Sequence, residues 1–171
     1  MGEWHPESPA RLQAIEDQLI LARIDGLLER REAPLAELPA IGRNHTPEAI
    51  ALIRDHIPTA PGTYYSLDGD TLLNCSSWKA ALRAAGAALA ATDAVIAGDI
   101  ANAFCAIRPP GHHARPSEPM GFCLFNNVAI AVRHALESHG LERVAIIDFD
   151  VHHGNGTAES FAGDARVLMA S

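Results

Sequence analysis

The chain has 171 residues, 48% of them hydrophobic, and a formal net charge of −8 at pH 7. That supplies one domain with a sizeable core; the acidic balance argues against direct electrostatic binding of nucleic acid, and favours cationic partners such as lysine-rich tails and polyamines. Cys75, Cys105 and Cys123 form neither paired metal-type spacings nor a disulfide framework, which suits a reducing compartment with the cytoplasm as default, and no targeting segment or membrane span is read.

In chain order, the first predicted helix is capped by Ser8, takes Pro9 in its first turn, and carries Leu12, Ile15, Leu19 and Ala22 as an apolar stripe. A second short helix covers residues 45–57. Residues 57–73, rich in Pro, Gly, Asp and Tyr, form the longest irregular piece. The most apolar stretch, residues 80–97, is interrupted by Arg83 and Asp93 and reads as part of a long amphipathic helix. Ser76 or Ser77 caps that helix, and Trp78, Ala81, Leu82, Ala85, Leu89 and Ile96 share one face. A strand follows at 103–107. Asn126 or Asn127 starts the next helix, with Val128, Ala131, Val132 and Ala135 inward. Further strands fall at 143–149 and 166–170, the apolar run from Val144 to Ile147 reading as buried. Alternating strands and helices predict a mainly parallel sheet covered by helices, a three-layer α/β/α arrangement.

Chemistry concentrates at two strand ends. In Ile146-Ile147-Asp148-Phe149-Asp150-Val151-His152-His153-Gly154-Asn155-Gly156 an apolar strand runs into carboxylates and imidazoles. Side chains alternate along an extended chain, so Asp148, Asp150 and His152 leave on one side. Carboxylate oxygen with imidazole nitrogen is a donor set for Zn²⁺, and so many ionisable groups behind an apolar strand are costly to bury without a cation. Gly154-Asn155-Gly156 then turns the backbone away. Residues 103–113 repeat the pattern: an apolar segment, then Arg108-Pro109-Pro110-Gly111, then the tandem His112-His113, a pair suited to general acid–base work near neutrality.

These motifs resemble the zinc-dependent histone deacetylase family. The resemblance rests on Arg108-Pro109-Pro110-Gly111-His112-His113-Ala114, on Gly121-Phe122-Cys123-Leu124-Phe125-Asn126-Asn127, and on Asp148-Phe149-Asp150-Val151-His152-His153-Gly154-Asn155-Gly156-Thr157. His5-Pro6-Glu7-Ser8-Pro9-Ala10-Arg11-Leu12 and His45-Thr46-Pro47-Glu48 extend it from about residue 4 to the last residue. The branch is the class II-like one, with bacterial deacetylases and acetylpolyamine amidohydrolases. The resemblance implies the arginase–deacetylase fold and hydrolysis of the amide of an acetylated amine, an acetyl-lysine in a peptide or protein or an acetylpolyamine, with metal-bound water as nucleophile.

It also implies roles. Asp150 and His152 match zinc ligands. His113 matches the general base and acid, and His112 its mainly electrostatic partner. Asp148 matches the carboxylate that orients His112, and Asn155 the partner of the second histidine, an asparagine in this branch. A structural potassium is implied at Asp148, at the Asp150 and His152 carbonyls and at the Ser171 hydroxyl. Phe122 matches one wall of the tunnel for the acyl-lysine stem, with Gly121 at its rim, and Arg11 matches an arginine near an internal channel. Tyr64, Tyr65, Asp68 and Asp70 fall in the rim region.

Two family features lie beyond these residues: a third zinc ligand, an aspartate, and the tyrosine hydroxyl that stabilises the oxyanion. Residues 1–171 therefore read as a partial, N-terminal portion of a catalytic domain, with Met1-Gly2-Glu3 beginning where the family usually has a preceding strand. Loss of an oxyanion donor slows such chemistry by roughly two to three orders of magnitude, so little or no activity is expected of the chain alone. Two other readings stand beside this one: a non-catalytic remnant that binds acyl-amines, metal or a partner and is free to oligomerise, and a binuclear manganese ureohydrolase of the same fold. The tandem histidines favour a mononuclear zinc site.

Overall fold

The computed structural model describes residues 5–171. Helix α1 (Ala10–Leu21) starts at Pro9, whose φ of −56° is already helical; no side chain caps it, so Ser8 contributes only its carbonyl, to Arg11 N–H. Leu12, Ile15 and Leu19 are half-buried and Ala22 is exposed, which makes the stripe a shallow one. A 3-10 turn (Asp25–Leu27) and the short α2 (Leu38–Ile41) follow, neither of them predicted. In α3 (Pro47–Asp55), Thr46 accepts from Ala49 N–H at 3.2 Å and Pro47 occupies the first turn.

The stretch expected to be irregular holds a small antiparallel ladder, β1 (Tyr65–Ser66) against β2 (Leu72–Leu73). Helix α4 (Ser77–Ala97) ends at Gly98 in the left-handed region, φ +78°. Its N-terminus is organised by Asn74, whose Oδ1 accepts from Ser76 N–H and Ser77 Oγ–H, rather than by a serine cap. By length and composition α4 could cross a membrane; here it packs along α5 (Asn127–Glu137) and buries Ala81, Ala84, Ala85 and Ala94. Asn126 caps α5, its side chain accepting from Ala129 N–H at 3.0 Å. The inward face of α5 is Ala129, Ile130, Val132, Ala135 and Leu136; Val128, expected inward, is exposed, because the core lies one position further round the helix.

Strand β3 (Val144–Ile147), helix α6 (Asn155–Ser160) and β4 (Val167–Ala170) make a β–α–β unit with parallel strands, Val144 opposite Val167 and Ile147 opposite Ala170. One face of this pair packs on α5 and the end of α6: Ile146, Val144, Val167 and Met169 meet Ala129, Val132 and Leu136 of α5 and Phe161 just past α6. The other face is open, so the run from Val144 to Ile147 is buried only on alternate residues, and Ile147 is 67% exposed. Among the described residues 103–107 forms no strand. None of the described residues offers it a ladder partner, and Phe104 is 72% exposed. A second core joins α2, α3 and α4 to the segment before α5, through Ile41, Ile53, Leu73, Ala81, Leu124, Phe125 and Ile130.

Candidate active site

The first wall of the site is the chain leaving β3. Asp148 N–H extends the ladder by one bond to Ala170 C=O, 2.8 Å. Sheet pairing then gives way to two successive side-chain turns: Asp148 Oδ1 accepts from Asp150 N–H at 3.2 Å, and Asp150 Oδ1 accepts from His152 N–H at 2.8 Å. The strand expected to reach residue 149 therefore ends at 147. Past its end Phe149 and Val151 are 96% and 91% exposed, and His152 Nδ1 lies 2.9 Å from Asp150 Oδ1. The His152 backbone N–H, and then its ring, hold the Asp150 carboxyl below its ordinary range.

The second wall is the 108–114 loop, whose Arg108–Pro109 peptide is cis. Both neighbouring helices anchor it. Asn127 Nδ2 donates to Pro109 C=O, Asn126 Nδ2 to Ala114 C=O, and Thr157 N–H to His112 C=O, all between 3.1 and 3.2 Å. These bonds bring the tandem histidines against the first wall. His112 Nδ1 is 2.9 Å from Asp148 Oδ2, and His113 Nδ1 is 2.7 Å from Asn155 Oδ1. Each partner accepts, so each ring donates its Nδ1 proton and turns Nε2 away from that partner. The two rings sit 4.0 Å apart at 44°, with the His152 ring 6.0 Å from His113. Asn155 keeps its amide oriented by donating to Met120 Sδ at 3.4 Å.

Glycine is required where the walls close. A Cβ on Gly154 would overlap Asp148 Oδ2, and one on Gly156 would overlap the Ala114 carbonyl. Gly121, at φ +57°, lies against the His113 ring, 2.6 Å from where its Cβ would be. Phe122 also has positive φ, +67°, held there by donation of its N–H to the buried Thr71 Oγ1 at 3.1 Å and by an edge contact with the His5 ring at 4.7 Å. Cys123 beside it is buried, and burial pushes its thiol up to about 12, which removes it as a nucleophile.

Ser171 is drawn in as well, its Oγ accepting from Gly154 N–H at 2.9 Å. Arg11 stands at the surface, 62% exposed, in an ion pair with Glu7 at 3.4 Å. The arginine that enters the interior there is Arg108, which binds the buried Glu7 through both its carboxylate and its carbonyl, beside a cleft also lined by Leu12, Asn74 and Leu124. In the rim region Asp68 turns inward on its own loop, accepting from Asp70 and Thr71 N–H, and Tyr65 lies against His56. Sequence reasoning missed Thr71, Met120 and the Glu7–Arg108 pair; only the motif around His5 and Glu7 hinted at the last.

As a donor set, Asp150 and His152 offer carboxylate oxygen and imidazole nitrogen side by side and partly exposed, a chemistry that suits zinc. They are two donors, where a catalytic zinc ordinarily takes three from the protein.

The histone deacetylase domain model matches residues 5–171. The chain is 39% identical over 183 residues to Histone deacetylase 14, chloroplastic, of Arabidopsis thaliana, covering 99% of this chain and 43% of that protein. It is 40% identical to a Histone deacetylase-like amidohydrolase of Pseudomonas aeruginosa, over 98% and 43% of the two chains, and 38% identical to human Polyamine deacetylase HDAC10, over 96% and 25%. The solved HDA15 HD domain superposes with a TM-score of 0.89 at 37% identity, covering 99% of this chain and 47% of that one. The fold is thus the α/β arginase–deacetylase fold, and the chain spans between a quarter and a half of the length of these relatives.

Proposed function

The chain belongs to the histone deacetylase family, and we propose that it contributes the proton-transfer wall and part of the metal-binding set of a site that hydrolyses the amide of an acetylated amine. The observation that carries this is the pair of adjacent imidazoles with different Nδ1 partners, Asp148 for His112 and Asn155 for His113. A carboxylate favours positive charge on its ring more strongly than an amide does. His113 is thereby the residue to take a proton from water at Nε2 and to return it to the departing amine nitrogen, while His112 steadies developing negative charge beside it.

Asp150 and His152 would hold zinc, which when bound supplies polarisation of the amide carbonyl and acidification of a water molecule. Asp148, the Asp150 and His152 carbonyls and the Ser171 hydroxyl would hold a structural potassium; the Gly154–Ser171 bond brings that hydroxyl to the same turn. Phe122 would flank the stem of the acylated amine, and the flat Gly121 would leave room beside the His113 ring. Substrates of the acetyl-lysine or acetylpolyamine kind fit the negative charge of the chain, since both are carried on cationic molecules.

With two zinc donors in place of three, the 171-residue chain alone is expected to bind zinc weakly and to turn over slowly. The test is zinc calorimetry beside Asp150→Ala, with hydrolysis of an acetyl-lysine peptide and of an acetylpolyamine assayed on the same samples. The proposal expects zinc affinity at the Asp150–His152 pair to fall in the variant. It also expects any hydrolysis, in this chain or in a longer polypeptide that contains it, to disappear with His113→Ala. Full turnover in His113→Ala would sink it.

A further inference from the structure

Away from the histidine pairs already described, three other side chains converge. Asp93 on α4, His134 in the last turn of α5 and His139 just past the end of α5 bring one carboxylate oxygen and two imidazole nitrogens within 4.8 Å of one another. Both Nε2 atoms face the same oxygen: Asp93 Oδ1 is 2.5 Å from that of His134 and 2.6 Å from that of His139. The rings stand perpendicular, 89° apart with centroids at 4.9 Å, so each presents its edge to a common point without stacking on the other. From these contacts we propose that Asp93, His134 and His139 form a second divalent-metal site, of the zinc class, that staples α4 to the C-terminal end of α5.

The donor chemistry selects the metal. Two neutral imidazoles and one carboxylate suit Zn²⁺ and its late first-row neighbours; magnesium and calcium prefer all-oxygen sets. Around a tetrahedral zinc the donor atoms lie roughly 3.3 Å apart, given metal–ligand distances near 2.0 Å. Asp93 and the two rings must therefore separate by less than about 1 Å. Asp93 is half exposed and His139 sits beyond the helix, so both have room to move. The same exposure leaves water access to the fourth position.

One neighbour sets the cost. Arg43 Nη1 donates to His134 Nδ1 at 2.7 Å, and a guanidinium only donates, so His134 is neutral with its proton on Nε2. To bind metal through Nε2 the ring moves that proton to Nδ1, and Arg43 must leave. A place is ready for it, since Glu137 Oε2 already lies 3.7 Å from Arg43 Nε. No net proton is gained or lost at His134 in this exchange. The metal would take the place of the two hydrogen bonds by which His134 and His139 now hold Asp93, and would lock the two helices there.

The experiment uses the 171-residue chain carrying Asp150→Ala and His152→Ala, which silence the other zinc-binding pair; both side chains are largely exposed, so the fold is expected to persist. Zinc chloride is titrated by calorimetry, and cobalt chloride is followed by the visible absorption of the ion. The expected result is one zinc per chain, a rise in thermal midpoint with zinc, and cobalt absorption of tetrahedral type. Adding His139→Gln should weaken zinc by at least about tenfold and remove the cobalt signal, with circular dichroism unchanged and the metal-free midpoint lowered far less than the zinc-induced rise. No zinc bound by the silenced chain, or equal affinity with and without His139→Gln, overturns the proposal.

Discussion

His112 and His113 are adjacent in sequence and 4.0 Å apart in space, and what distinguishes them is a single atom type in each partner. Replacing Asp148 by Asn should leave the His112 ring in place and remove the charge behind it. We expect turnover in an active polypeptide containing this chain to fall about 10- to 100-fold, read as kcat/KM. Removing the His113 imidazole altogether should cost about 10²- to 10⁴-fold, the usual contribution of a positioned acid–base group. Gly121→Ala tests the space beside that ring: the added methyl meets His113 at 2.6 Å on a backbone at φ +57°, so the variant should lose activity and its thermal midpoint should fall as well. The carboxylates and His152 were singled out from strand alternation, although the strand itself stops at Ile147 and the turns that follow, not a ladder, set their positions. The pairing of His113 with Asn155 was legible only through family resemblance, for 42 residues separate them. Thr71 left no trace at all, because a hydroxyl accepting a backbone N–H 51 residues away follows no periodicity.

Between elements, the tie that holds the site together is polar and buried. His45, just before α3, accepts at Nε2 from Asn126 N–H at 2.9 Å, and Asn126 in turn donates to Ala114 C=O and Thr157 Oγ1. One residue thus links α3, α5, α6 and the histidine loop. Burial pushes the His45 imidazole from 6.5 down to about 4. The sign follows: between those values the unfolded chain binds the proton and the folded chain does not, so this contribution is whole above pH 6.5 and is lost as pH falls toward 4. Its size is on the order of 3 kcal/mol at most. Urea midpoints should drop between pH 7.5 and 5 by a margin that His45→Gln flattens. Asp164, held low first by the Arg166 side chain, adds its loss only in more acid solution. Helices were the readable elements here, since α3, α4 and α5 each bury a periodic stripe or carry a cap. Residues 103–107 misled because an apolar run states only a wish for cover; a strand also needs a neighbour to bond with, and none of the described residues offers one.

Over the molecule as a whole, apolar surface is distributed unevenly. Phe104, Ile147, Phe149, Val151 and Leu168 are all strongly exposed, and an apolar groove between α4 and α5, lined by Val95, Ala103, Cys105, Val128 and Leu141, lies open too. Surface of this kind drives association. We expect the 171-residue chain to self-associate at micromolar concentration by light scattering, and Leu168→Lys, on the open face of β4, to shift it toward monomer; a parent chain that stays monomeric over the same range would refute this. The open face has one more consequence. Along 147–152 the exposed Ile147, Phe149 and Val151 interleave in sequence with Asp148, Asp150 and His152. A dry cover over those apolar side chains would lower the dielectric around Asp148 and Asp150, and the two carboxylates would then demand a cation far more strongly. Under the proposed function, the strength with which Asp150 and His152 would hold a metal would then depend in part on apolar side chains that never touch it.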